Sequence, residues 1–134
     1  MSNLQRARQA MADRGVAAML LNEIGGVQWA SRFTGTAGWV VLTRDGGVFV
    51  TDSRYAIQSR EQVTELPVET FASPVEAAEF LAEQVAKLCI TQLGFESDSV
   101  TVATFEKWRA AFSGVELVPT PGFIAPLRMV KSQS

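Results

Sequence analysis

A chain of 134 residues, 47% hydrophobic and 19% charged, is long enough for one domain with a continuous core and too apolar to remain disordered. Its 12 basic and 14 acidic side chains leave a formal charge of −2 and form no Lys/Arg stripe, so the electrostatic basis for nucleic-acid binding is missing. The chain contains no histidine, which excludes Ser-His and Cys-His catalysis and Cys/His zinc centres and leaves only carboxylate-based metal or acid–base chemistry open.

The opening, MSNLQRARQA, lacks the apolar core of a signal peptide, and no apolar run approaches the ~20 residues of a membrane helix. Leu4, Ala7 and Met11 fall at helical spacing, which predicts an amphipathic helix over 3–14 with Gly15 as its stop. The apolar run 16–21 reads as a buried strand. Residues 22–33 are ambiguous: Asn22 is a candidate cap for a short helix that Gly25 and Gly26 weaken. Residues 39–43 and 48–51 are strand-length apolar runs joined by RDGG, a hairpin signal. Residues 55–63 have helical composition, Pro67 stops them, and 68–71 suit a short strand.

The segment SPVE, residues 73–76, reads as a helix start: Ser73 as cap, Pro74 at the first helical position, Glu76 reaching back to Ser73. That helix extends to about Leu88 and turns Ala77, Phe80, Leu81 and Val85 toward a core. Cys89 follows. Being alone, it forms no intramolecular disulfide, which fits a reducing cytoplasm, and its neighbours Leu88 and Ile90 suggest a buried, inert thiol. Residues 92–96 read as a strand. Ser99 or Thr101 opens a helix through Ala111 carrying Phe105 and Trp108, and 115–118 form a last strand before Pro119, Pro121 and Gly122 break the pattern. Alternating strands and helices with one hairpin predict an α/β domain with a mixed sheet.

Several polar and aromatic positions are marked. Gly35 and Gly38 flank Thr36-Ala37 in a loop expected to use positive φ; no G-x-G-x-x-G is present and the loop leads into a strand, which argues against a phosphate cradle. Asp52 and Arg54 end the second hairpin strand, either as a local ion pair and helix cap or with Arg54 free to grip a carboxylate of a partner or peptide. Trp29, Arg32 and Phe33 form either core or an exposed aromatic–cation edge. Glu96 and Asp98 read as strand end and helix cap rather than as a catalytic pair. These features contain no catalytic constellation and no metal set.

The order of five segments adds more. The opening helix, Gly15 and strand; WASRFTGTAG (29–38); DG (45–46) followed by FVTDSRY (49–55); LGFE (93–96); and LRMVKS (127–132) occur in the order and spacing of the N-terminal domain of the creatinase/prolidase/Xaa-Pro aminopeptidase family, which the chain resembles over nearly its whole length. The resemblance implies a six-stranded mixed β-sheet flanked by helices on both faces. It implies a domain over 1–126 and, over 127–134, the start of a linker to a C-terminal catalytic domain. There, two divalent metal ions, often manganese, are held by two Asp, a His and two Glu. It further implies a cytoplasmic homodimer acting on proline-containing peptides, with no nucleic-acid or membrane partner. In this reading the chain itself carries no catalytic residue, metal ligand or cofactor. Trp29, Arg32, Phe33, Asp52, Arg54 and Tyr55 face the partner subunit or substrate.

The sequence departs from the family pattern twice: Arg32 and Ser53 stand where glycine is frequent. Arg32 is expected to reach toward a substrate carboxylate, and Ser53 asks for an ordinary φ. A standalone peptide- or protein-binding module is the alternative reading; a nucleotide-binding domain lacks its phosphate loop.

Overall fold

The computed structural model describes residues 2–129. The first helix, α1 (Asn3–Arg14), is closed at both ends by local chemistry. Ser2 Oγ accepts from Gln5 N while Gln5 Oε1 accepts from Ser2 N, and Gly15 takes a left-handed turn at φ 68° with its N–H on Ala12 O. Leu4, Ala7 and Met11 are its buried face, as the spacing predicts.

Strand β1 (Ala18–Leu21) starts two residues later than the apolar run and is buried throughout. Helix α2 (Ile24–Ser31) forms despite two glycines, and its cap is Glu23 rather than Asn22: the carboxylate accepts from Gly25 N at 2.9 Å and Gly26 N at 2.8 Å. A side chain is unwelcome at Gly26 because a Cβ there would press on Ile124.

The hairpin is β2 (Trp39–Thr43) and β3 (Gly47–Asp52), paired from Trp39↔Val50 to Leu42↔Gly47. Gly47 supplies the required positive φ, 140°. Arg8 on α1 ties the turn down, donating to Thr43 O and Gly46 O. A 3-10 turn (Ser53–Tyr55) leads into α3 (Ala56–Gln62), then β4 (Val68–Phe71). Ser53 has no left-handed backbone, in line with its side chain.

Helix α4 (Ala77–Lys87) begins later than the SPVE pattern predicts. Val75 N bonds Ala72 O, so residues 72–75 close a separate turn; Glu76 is the cap residue, and its N–H is received by Glu79 Oε1. Ser73 and Pro74 therefore lie outside the helix. Cys89 is exposed, correcting the buried thiol. It occupies a left-handed position, φ 58°, just past the end of α4, where the chain reverses and turns the side chain outward between half-buried Leu88 and buried Ile90. Strand β5 (Gln92–Phe95), α5 (Val102–Ala111), β6 (Glu116–Pro119) and the five-residue α6 (Ala125–Met129) complete the order. Pro119 is tolerated because β6 is an edge strand.

The sheet order is β4-β3-β2-β1-β5-β6; β1–β2 and β2–β3 are antiparallel, and the other pairs are parallel. Side chains alternate across it. Met19, Leu21, Val40, Leu42 and Phe49 face α1, α2 and α6, whereas Leu20, Val41, Val48, Val50 and Leu93 face α4 and α5. Two cores, one on each face, make the mixed six-stranded α/β sandwich expected from the sequence. Strand connections run away from β1 toward β4 on one side and from β5 to β6 on the other, so the β1–β5 seam is where the order switches.

Candidate functional site

The loop between α2 and β2 organises one surface of the molecule. Arg32 ends α2 in the left-handed region, φ 69°, with its N–H on Gln28 O. This explains why glycine would suit the position: a Cβ is strained there. Arg32→Gly is expected to raise stability by about 0.5–1 kcal/mol, read by urea unfolding.

Beyond Arg32 the chain dives inward. Phe33 is fully buried, its ring 4.9 Å from Phe49 and 5.4 Å, edge-on, from Tyr55. Phe33 is therefore core, and it supports the surface rather than presenting itself to a partner. Gly35 and Gly38 do not use positive φ. They are small because a side chain would strike the Phe33 ring at Gly35 and the Phe49 ring at Gly38. Gln28 Nε2 holds Gly35 O, Gln62 Oε1 receives Thr34 N, and Thr51 Oγ1 holds Ala37 O at 2.6 Å. Thr36 and Tyr55 share a hydroxyl hydrogen bond of 2.8 Å, which pulls the tyrosine's proton affinity down.

Asp52, Arg54 and Tyr55 form one corner. Arg54 Nη2 lies 2.7 Å from Asp52 Oδ2 and Nε 3.0 Å from Oδ1, while Oδ1 also accepts Arg54 N. Asp52 is thus both ion-pair partner and cap; the arginine hydrogen bonds hold its carboxyl below the usual range. The guanidinium lies 5.4 Å from the Tyr55 ring centre, and its side chain remains 74% exposed. The cation–π pair of this region is Arg54–Tyr55, and of the two readings open for Phe33 the structure takes core.

Half-buried Trp29 and exposed Arg32 instead line a groove of about 690 Å³ with Asn3, Arg6, Thr34 and Glu65 among its walls. Asn3 Nδ2 on Trp29 O fixes the wall. Among the described residues, neither Arg6 nor Arg32 is in an ion pair. The groove therefore offers two cations beside an indole, a chemistry suited to a carboxylate with an apolar neighbour. Asn3, Arg6 and Glu65 carry no sequence signal for this role, because α1, the α2 end and the α3–β4 loop meet only in the fold.

The chain is matched over residues 3–130 by the model of the Creatinase/Prolidase N-terminal domain. The chain belongs to this family. As a Creatinase/Prolidase N-terminal domain it is 33% identical over 130 residues to the uncharacterized peptidase YqhT of Bacillus subtilis (strain 168), covering 96% of this chain and 36% of that protein. An Xaa-Pro dipeptidase from Bacillus anthracis superposes with TM-score 0.88 at 30% identity, over 98% of this chain and 36% of that one. The N-terminal domain of the cytoplasmic peptidase PepQ from Mycobacterium tuberculosis H37Rv gives 0.82 at 29% identity, with 94% and 98% covered. The chain thus spans little more than a third of the whole-length relatives it matches. A neighbour from Corynebacterium diphtheriae is described as part of a putative metallopeptidase. Among the described residues no group of three His, Cys, Asp or Glu side chains is placed to hold a metal ion. No helix among them is long and apolar enough to cross a membrane.

Proposed function

We propose that this domain is the non-catalytic N-terminal part of a cytoplasmic, metal-dependent Xaa-Pro peptidase, and that it helps form a homodimer and borders the partner subunit's cleft. Hydrolysis belongs to the C-terminal catalytic domain, where two divalent ions, manganese in this reading, reside; residues 127–134, of which 130–134 lie outside the described residues, are the start of the linker to it. Of the candidate residues, Trp29 and Arg32 with Arg6 meet the substrate or partner, Arg54 and Tyr55 meet the neighbouring subunit, and Asp52 and Phe33 position them. The observation that carries this reading is the unpaired Arg6–Arg32 groove beside Trp29, on a fold shared with the N-terminal parts of Xaa-Pro peptidases. An arginine pair there suits the carboxylate end of a short proline-containing peptide.

The test is kinetic. The complete protein, loaded with manganese, is expected to release proline from Xaa-Pro dipeptides, whereas residues 1–134 alone release none. Arg32→Ala in the complete protein is expected to raise KM about tenfold with a smaller change in kcat, as loss of a charged hydrogen bond does. Proline release by 1–134, or a complete protein inert toward Xaa-Pro bonds, overturns the proposal.

A further inference from the structure

At the carboxyl end of the β1–β5 seam, where Leu20 pairs with Phe95, the residue that follows each strand carries a buried, unpartnered oxygen. Glu96 is only 4% exposed, and its Oε1 has no hydrogen-bond partner; Asn22 Oδ1, after β1, is likewise buried and unpartnered. Glu96 ends the strand as expected and precedes a 3-10 turn (Ser97–Ser99), but its side chain makes no cap hydrogen bond, and Thr101 Oγ1 caps α5. Glu96 instead lines a cavity of about 180 Å³ roofed by the segment from Gly122 to Arg128.

Two carboxyls hold that roof: Asp98 Oδ2 accepts Gly122 N at 3.0 Å, and Glu23 Oε1 lies 3.6 Å from Arg128 Nη1. From the far side, Arg14 on α1 donates to Pro121 O at 2.7 Å. Burial most of all, and then Glu23 and Asp98, disfavour a charge on Glu96; the Ile124 amide and Arg128 favour it more weakly.

We propose that Glu96 is a proton-operated latch on the segment from Gly122 to Met129. Protonated, the carboxyl is neutral between Glu23 and Asp98, and the roof stays closed over it. Ionised, it is a buried charge beside two like charges, and the arrangement relaxes by lifting the roof and admitting water. The group changes charge around neutral pH, because burial first and its acidic neighbours second push it up to about 7. The segment it controls follows the last strand and contains α6, so the device sets how firmly residues 122–129 are held to the sheet. It makes no use of the peptide groove and stands whether or not the peptidase reading does.

Amide hydrogen exchange on residues 1–134 tests it, with rates corrected for intrinsic pH dependence. Protection of Ile124, Leu127 and Arg128 is expected to fall at least tenfold between pH 5.5 and pH 8.5, while amides of β1 and β2 hold theirs. Glu96→Gln should keep the segment protected at both pH values. Asp98→Asn, which keeps an acceptor for Gly122 N, should move the transition to lower pH by removing one repelling charge. Protection that is flat with pH in the native chain overturns the latch. So does an unchanged profile in Glu96→Gln, an unmoved midpoint in Asp98→Asn, or an equal loss throughout the sheet.

Discussion

Replacing Glu96 with glutamine is expected to raise the stability of the domain at pH 8 by about 2–3 kcal/mol and to leave it unchanged at pH 4. The native carboxyl titrates at about 7 against an ordinary 4.5, so the folded state holds its proton more tightly than the unfolded chain. Below pH 4.5 both states are protonated and the group contributes nothing that distinguishes carboxyl from carboxamide. As pH rises from 4.5 to 7 the unfolded chain loses its proton first, and native stability falls. Above 7 the full penalty stands. At about 1.4 kcal/mol per pH unit the displacement corresponds to roughly 3 kcal/mol, reduced where water enters the cavity. Glutamine has the same shape and never ionises, so urea unfolding at several pH values should show the native and variant curves converging in acid and diverging through neutrality. Parallel curves would show that the buried carboxyl is already relieved of its charge penalty in the native fold.

Phe33→Ala is expected to lower stability by about 3–5 kcal/mol, the range for emptying an aromatic site in a packed core. The ring is fully buried and sits against Phe49 and Tyr55, with Gly35 kept bare to accommodate it. A loss of that size is a large part of the 5–15 kcal/mol typical of a whole domain. Urea titration in the cold is therefore the suitable measurement. Tyr55 loses its edge contact in the variant, so the Arg54–Tyr55 corner should loosen with the core. A loss under 1 kcal/mol would mean that Phe49 and Tyr55 collapse into the space. Phe33 thus matters to the proposed contact surface without being part of it.

The two replacements mark where local pattern ends. The amphipathic period of α1, Gly15 as its stop and the RDGG hairpin were legible because each depends on residues within a few positions of one another. Five short segments in fixed order identified the family, and with it the six-stranded sheet. The same local reasoning misplaced the start of α4, since a residue that suits a cap must still compete with a turn at 72–75 that closes first. It also put Cys89 inside, where flanking leucine and isoleucine spoke for burial but a left-handed backbone turned the thiol outward.

What the chain determined alone was its alternation of helices and strands, its lack of histidine and its membership of a family. What only the tertiary structure decided was where side chains stand relative to distant ones. It buried Phe33 against Phe49 and Tyr55, gathered Arg6 and Arg32 around Trp29, and set Glu96 beside Glu23 and Asp98 under the roof from Gly122 to Arg128. Backbone hydrogen bonding is satisfied within a few residues or along a strand and leaves a periodic imprint. Burial and electrostatic neighbours arise between segments tens of residues apart, and no periodicity records them.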